Sequence, residues 1–385
     1  MMVAQGVNAA TLDGRHIPGL DLLRFLAAAA VMLFHLTYLD WALSGSTAYR
    51  LSGGEVRFPE LAGIAGAGWI GVQVFFVISG FVIAYSAENA SLFSFVHSRA
   101  LRLLPTVWVC ASLSLAAIHM ASAGRVSAGA YGRSLSLWPW GPWVDPSYWT
   151  LGVEISFYAL VALLIAGGRF VAMRRLALLL GAGSGVYWLA WWLSLADPAS
   201  VAHQWLQHYR ESRLLELLLV QHGCFFALGV VIWAQLLKHG PRSDWLAPFL
   251  VAACLLQIAA HHALAVEKTG IATPLWLPLL LWLAAVAWMT LSIRYSERMF
   301  HGGVLRKLLR RVGLMTYPLY LIHQVLGCLL LGRLAAAGLD RYVVVLGATI
   351  ALLLTLSNFI CSVFEPPLRT MLKRGFSLYT RYAYN

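Results

Sequence analysis

Arg24 and His35 lie within the first long apolar stretch of the chain. An ionised side chain at the centre of a spanning helix costs roughly 2.5 to 3.5 kcal/mol, so such residues mark functional positions. Their separation turns an α-helix through about 1100°, or three turns and roughly 20°, which puts both side chains on one face about 16 Å apart along the axis. An imidazole suits proton abstraction from a hydroxyl, and a guanidinium suits phosphate oxygens. Glu154, in "YWTLGVEISFY", falls about two turns inside a second apolar stretch, at a depth comparable to that of His35. If the two touch, the carboxylate orients the ring and stabilises its protonated form. Without contact, each requires another partner.

At the other end of the first stretch, Asp21 is three residues from Arg24 and can pair with it on one face. Arg99 and Arg102, in "HSRALRLLP", are also three apart and project from one side. They read either as snorkelling topology determinants or, with Arg24, as a phosphate pocket. In "GVQVFFVISGFVIAYS", Ser79 and Gly80 fit close helix packing, and Ser79 joins the donor-binding candidates. The segment "TYPLYLIHQ" brings Tyr317, Tyr320, His323 and Gln324 to mid-membrane beside Pro318, a cluster that reads as the lining of a substrate cavity. Trp149 follows Trp138, Trp140, Trp143 and Tyr148 at the outer interface, as an aromatic belt or a sugar-stacking surface. Glu216, Gln221, His222, His261 and His262 are further polar residues in apolar stretches, each with a weaker claim to chemistry.

These residues must be positioned by helices. Sixty per cent of the 385 residues are hydrophobic and 11% are charged, so the expected class is all-α, a polytopic membrane bundle. Windows long enough to span fall at 18–39, 64–85, 101–121, 147–167, 176–196, 214–237, 245–266, 271–293, 313–332 and 342–363, about ten helices. With both termini in the cytoplasm, 19 of the 28 Lys and Arg lie inside, as the positive-inside rule requires. The net charge of +12 is then topological, and no nucleic-acid partner is needed. An inner basic face also attracts anionic membrane lipid or a phosphorylated donor. The five cysteines all fall in apolar windows without metal-ligand spacing, and no metal site, Walker loop or dinucleotide fingerprint is present in the sequence. Connections are short, so residues 1–385 are expected to form a single integral-membrane domain without a cleaved signal. Longer outer loops are expected at 40–63, 122–146 and 197–213, and an inner basic segment at 294–312. No internal repeat is evident, which weakens a transporter reading.

Arg24 followed by ten residues and His35, the Arg99/Arg102 pair, "FFVISGF", "WTLGVEISFY" and "YPLYLIH" occur in the order seen in the membrane acyltransferase-3 family, and the resemblance extends over essentially the whole chain. It implies a bacterial-type inner-membrane enzyme of about ten helices that moves an acyl group, acetyl above all, from cytosolic acyl-CoA to hydroxyls of an envelope or exported saccharide or glycolipid. By motif, His35 corresponds to the essential histidine, Arg24 to its arginine partner, Arg99 and Arg102 to the inner pair, and Glu154 to the acid of the fourth-helix motif. The chain ends at Asn385, so no appended soluble domain is expected. A flippase of an acylated glycolipid, or a structural subunit of a polysaccharide assembly, are the competing classes.

Overall fold

The computed structural model describes residues 11–12, 15–121, 124–237, 245–338 and 341–383. Both chain ends, which the charge count places on one side of the membrane, lie outside these residues, as does the connection 238–244. The principal helices are α1 (Pro18–Phe34), α2 (Ile70–Ala87), α3 (Leu92–Met120), α4 (Trp149–Ala166), α5 (Met173–Ser194), α6 (Gly223–Leu237), α7 (Leu246–Thr269), α8 (Trp276–Met299), α9 (Gly303–Ile322), α10 (Val325–Ala336), α11 (Tyr342–Phe359) and α12 (Glu365–Ala383). Among the described residues the extended structure is one antiparallel pair, Thr11–Leu12 with Arg15–His16.

Among the described residues, eight helices are long and apolar enough to cross a membrane, or nine if one bent pair counts as a single span. The protein is a polytopic all-α membrane protein, and two of the ten expected windows depart from a simple span. The window 214–237 breaks at Leu218–His222, where Leu219 has φ 60°. The 15-residue α6 that follows is only about 22 Å long, short of the roughly 30 Å hydrocarbon core. Its residues from Gly223 through Ala234 are all buried, so protein surrounds it. The window 313–332 splits into α9 and α10, which meet at 74°. Pro318 lies inside α9, and the bend appears beyond it, at His323 and Gln324.

α1 is the partition of the bundle. Leu20, Leu23, Ala27 and Val31 recur at helical spacing and enter the core shared with α2, α5, α6 and α7. Ala28, Met32 and Leu36 enter a second core with residues of α3, α9, α10 and α11. The stripe between them carries Arg24 and His35. On the first side, α2 crosses α6 at backbone contact: a Cβ on Gly80 would lie 2.1 Å from the Phe226 carbonyl oxygen, and one on Gly229 2.1 Å from that of Val77. Close packing therefore accounts for Gly80. Leu26, Leu163, Leu179 and Leu193 point outward and exposed, as side chains that hydrocarbon covers must.

Candidate active site

α1 does not run on to residue 39 as a plain α-helix. From His35 to Leu39 it widens into a π-helical turn, a local insertion that often marks functional positions. His35 opens that turn. Its Nδ1 lies 2.9 Å from the Val31 carbonyl oxygen and 3.1 Å from His323 Nε2, with the two rings edge to face at 4.8 Å between centroids. His323 Nδ1 lies 2.7 Å from the Tyr320 carbonyl oxygen. Carbonyl oxygens only accept, so these contacts fix both tautomers of the neutral pair. His323 donates from Nδ1 to Tyr320 and turns a lone pair on Nε2 toward His35. His35 donates from Nδ1 to Val31 and toward His323, which leaves its own Nε2 as the basic nitrogen.

The expected contact between His35 and Glu154 is absent. Glu154 Oε1 accepts from Ser79 Oγ at 2.8 Å and from the Tyr158 hydroxyl, and its charge acts on Arg24, Arg99 and Arg102. Glu154 thus belongs to the guanidinium group. The depth expected for Glu154 did not hold, because α4 turns the carboxylate toward Ser79 of α2 and the arginines of α1 and α3. Tyr158, which sequence reasoning passed over, follows Glu154 by four residues on the same helix face, a spacing that signals a pair.

The guanidinium group draws on three helices. Arg24 lies 3.8 Å from Asp21, which is also bound by His16. The snorkelling reading of Arg99 fails. α3 begins at Leu92, nine residues before the expected window, so Arg99 sits inside the helix, 6% exposed. Its Nε reaches Ser98 Oγ at 3.4 Å, and its Nη1 is buried without a hydrogen-bond partner. Arg102 is acted on by Tyr158, Glu154, Tyr317 and Glu365. Three buried or half-buried guanidinium groups face Glu154, an Asp21 shared with His16, and Glu365. Glu365 is itself held by Arg369 at 2.5 Å. A site with guanidinium donors in excess and one left open is built to receive an anion.

The remaining expected residues divide between the two levels. Tyr317 reaches the Leu103 carbonyl at 3.5 Å and belongs with Arg102, away from the acceptor side where it was expected. Tyr320 donates to Thr150 Oγ1 at 2.9 Å, because the Thr150 hydroxyl hydrogen is directed to the Ser147 carbonyl. Its ring lies 5.4 Å from His323, so it walls the histidine pair and its own donor is used. Gln324 is buried at the bend. Trp149 turns away, its ring tilted against His222 at 5.6 Å and edge to face with Phe76 at 6.5 Å. Arg213 holds the carbonyls of Pro139 and Trp149 and lies over the Trp143 ring, which anchors the tryptophan loop. Trp138 and Trp140 remain exposed, as a belt requires.

The fold and site define a polytopic membrane protein with a buried histidine pair at one level and an anion-receptive guanidinium cluster at the other. The acyltransferase-3 family model, an acyltransferase domain, matches residues 17–364, and the chain belongs to that family. It is a membrane acyltransferase. No curated protein and no solved structure matches it.

Proposed function

We propose that the protein transfers an acyl group, acetyl above all, from cytosolic acyl-CoA to a hydroxyl of an envelope or exported saccharide or glycolipid, in a bacterial-type inner membrane with both termini cytoplasmic. The observation that carries this reading is the commitment of His35 Nδ1 to Val31 and His323, which leaves Nε2 free to take a proton. The acceptor O–H gives its proton to His35 Nε2 while its oxygen bonds to the acyl carbon. The C–S bond then breaks, and the departing thiolate takes the proton back from His35. His323 holds the ring and accepts from Nδ1–H as positive charge develops.

Arg24, Arg99 and Arg102 receive the phosphates of CoA, with Glu154, Ser79 and Tyr158 holding the cluster in place. The roughly 16 Å between Arg24 and His35 along the helix is comparable to an extended pantetheine arm, so one donor reaches both levels. The test is thiol release from acetyl-CoA by the purified protein, together with CoA binding. His35→Ala is expected to abolish transfer and keep CoA binding, whereas Arg102→Ala weakens binding. Loss of acceptor binding alone in both variants overturns the assignment. Hydroxylamine-labile acetyl on His35 in acceptor-free protein would replace direct transfer by an acyl-histidine route.

A further inference from the structure

Asp145 takes no part in the chemistry above, and it is fully buried, 0% exposed. Its two carboxylate oxygens are divided between two helix starts. Oδ1 accepts from Ser147 N at 2.8 Å and caps the 3₁₀ turn Pro146–Tyr148 that leads into α4. Oδ2 accepts from Val325 N at 3.1 Å. Val325 opens α10 immediately after the 74° bend, where the change of direction leaves backbone N–H groups without an intrahelical acceptor. A buried orphan N–H is costly, and a carboxylate at a helix N-terminus is favoured by the aligned peptide dipoles. One side chain therefore joins the entry of the Glu154 helix to the bend that carries His323.

We infer that Asp145 is a positioning residue for the histidine pair: by clamping the α9–α10 bend to the start of α4, it fixes where His323 meets His35 Nδ1. This inference rests on the proposed acyl transfer for its consequence, and the clamp itself is a matter of geometry. His323 is two residues from Val325 and its ring nitrogens are both committed. A bend released by loss of the Val325 bond carries His323 away from His35, and His35 Nδ1–H then keeps the Val31 carbonyl as its acceptor and loses His323 Nε2.

The test uses the full-length protein labelled with ¹⁵N-histidine, with the His35 resonances assigned by difference from His35→Gln. The native protein is expected to show His35 protonated at Nδ1 and bare at Nε2, with a through-hydrogen-bond ¹⁵N–¹⁵N coupling between His35 Nδ1 and His323 Nε2. In Asp145→Ala that coupling is expected to vanish while the Val31 carbonyl keeps the proton on Nδ1. In Asp145→Asn, which keeps one carbonyl oxygen and folds if the alanine variant does not, the change is partial. Thiol release from acetyl-CoA is expected to fall at least tenfold in kcat with KM for acetyl-CoA unchanged. A native His35–His323 coupling in Asp145→Ala overturns the inference, as does a KM that rises in step with a kcat loss. A native protein that releases no thiol from acetyl-CoA counts against acyl transfer, and the coupling measurement then decides the clamp alone.

Discussion

Replacing His323 by leucine removes the side chain that faces the Nδ1 edge of His35 at 3.1 Å, at similar volume and without a hydrogen-bond acceptor. As His35 takes the acceptor's proton its ring becomes an imidazolium, and the bond to His323 Nε2 becomes charge-assisted. Such bonds contribute about 1.5 to 3 kcal/mol, which at 1.36 kcal/mol per decade corresponds to about 10- to 150-fold in kcat. The Val31 carbonyl still accepts from Nδ1, so the lower part of that range, about 10- to 30-fold, is expected. KM for acetyl-CoA should not move, because the guanidinium cluster lies at the other level. His323→Gln retains a carbonyl oxygen that accepts from Nδ1–H and should recover most of the rate. The assay is steady-state thiol release from acetyl-CoA by purified protein in lipid nanodiscs, with envelope extract as acceptor. Full kcat in His323→Leu, or a change confined to KM, would refute the tautomer argument.

Arg99→Ala removes a guanidinium whose buried Nη1 has no internal partner. It should raise the dissociation constant for CoA about 10- to 100-fold, the equivalent of one charge-assisted bond, and calorimetry giving native affinity would rule out a phosphate on Arg99. Glu154→Gln takes a negative charge from among three guanidinium groups, so the Tm without ligand should fall and added CoA should recover part of it. A variant with native Tm and a loss of kcat alone would instead place Glu154 in the chemistry. Gly80→Ala forces a methyl group against the Phe226 backbone and should destabilise by about 1 to 3 kcal/mol. Gly347→Ala, with open space around the new Cβ, should be neutral, and equal melting of the two variants would contradict the close α2–α6 crossing.

The spans and the Arg24–His35 stripe were legible because they follow from local periodicity: an apolar window and a turn angle suffice. Depth across helices was not: Glu154 was placed near the level of His35, and it lies with Arg24, Arg99 and Arg102. Azimuth was not legible either. Which polar residue of α4 or α9 meets the imidazole is decided by how those helices are set and rotated in the bundle, and that depends on packing such as the Gly80 crossing, which no single window contains. The bend after Ile322 was not legible in the window 313–332, because Pro318 removes one hydrogen bond without deciding where the chain turns. Asp145 stayed hidden for a related reason. The Asp-Pro-Ser start is a readable cap signal, but its second partner, Val325, is 180 residues away in sequence.

The π-helical turn at His35–Leu39 has a consequence for the whole first span. A widened turn holds one residue more than an α-turn, so side chains beyond it lag by about 100° behind an uninterrupted helix. Up to Phe34 the helix keeps phase with the guanidinium end; past Leu39 it keeps phase with the opposite end, where the Tyr38 hydroxyl already meets Thr269 at 3.0 Å. His35 stands at the change of phase, so the first span works as two keyed half-shafts with the reactive ring at their coupling.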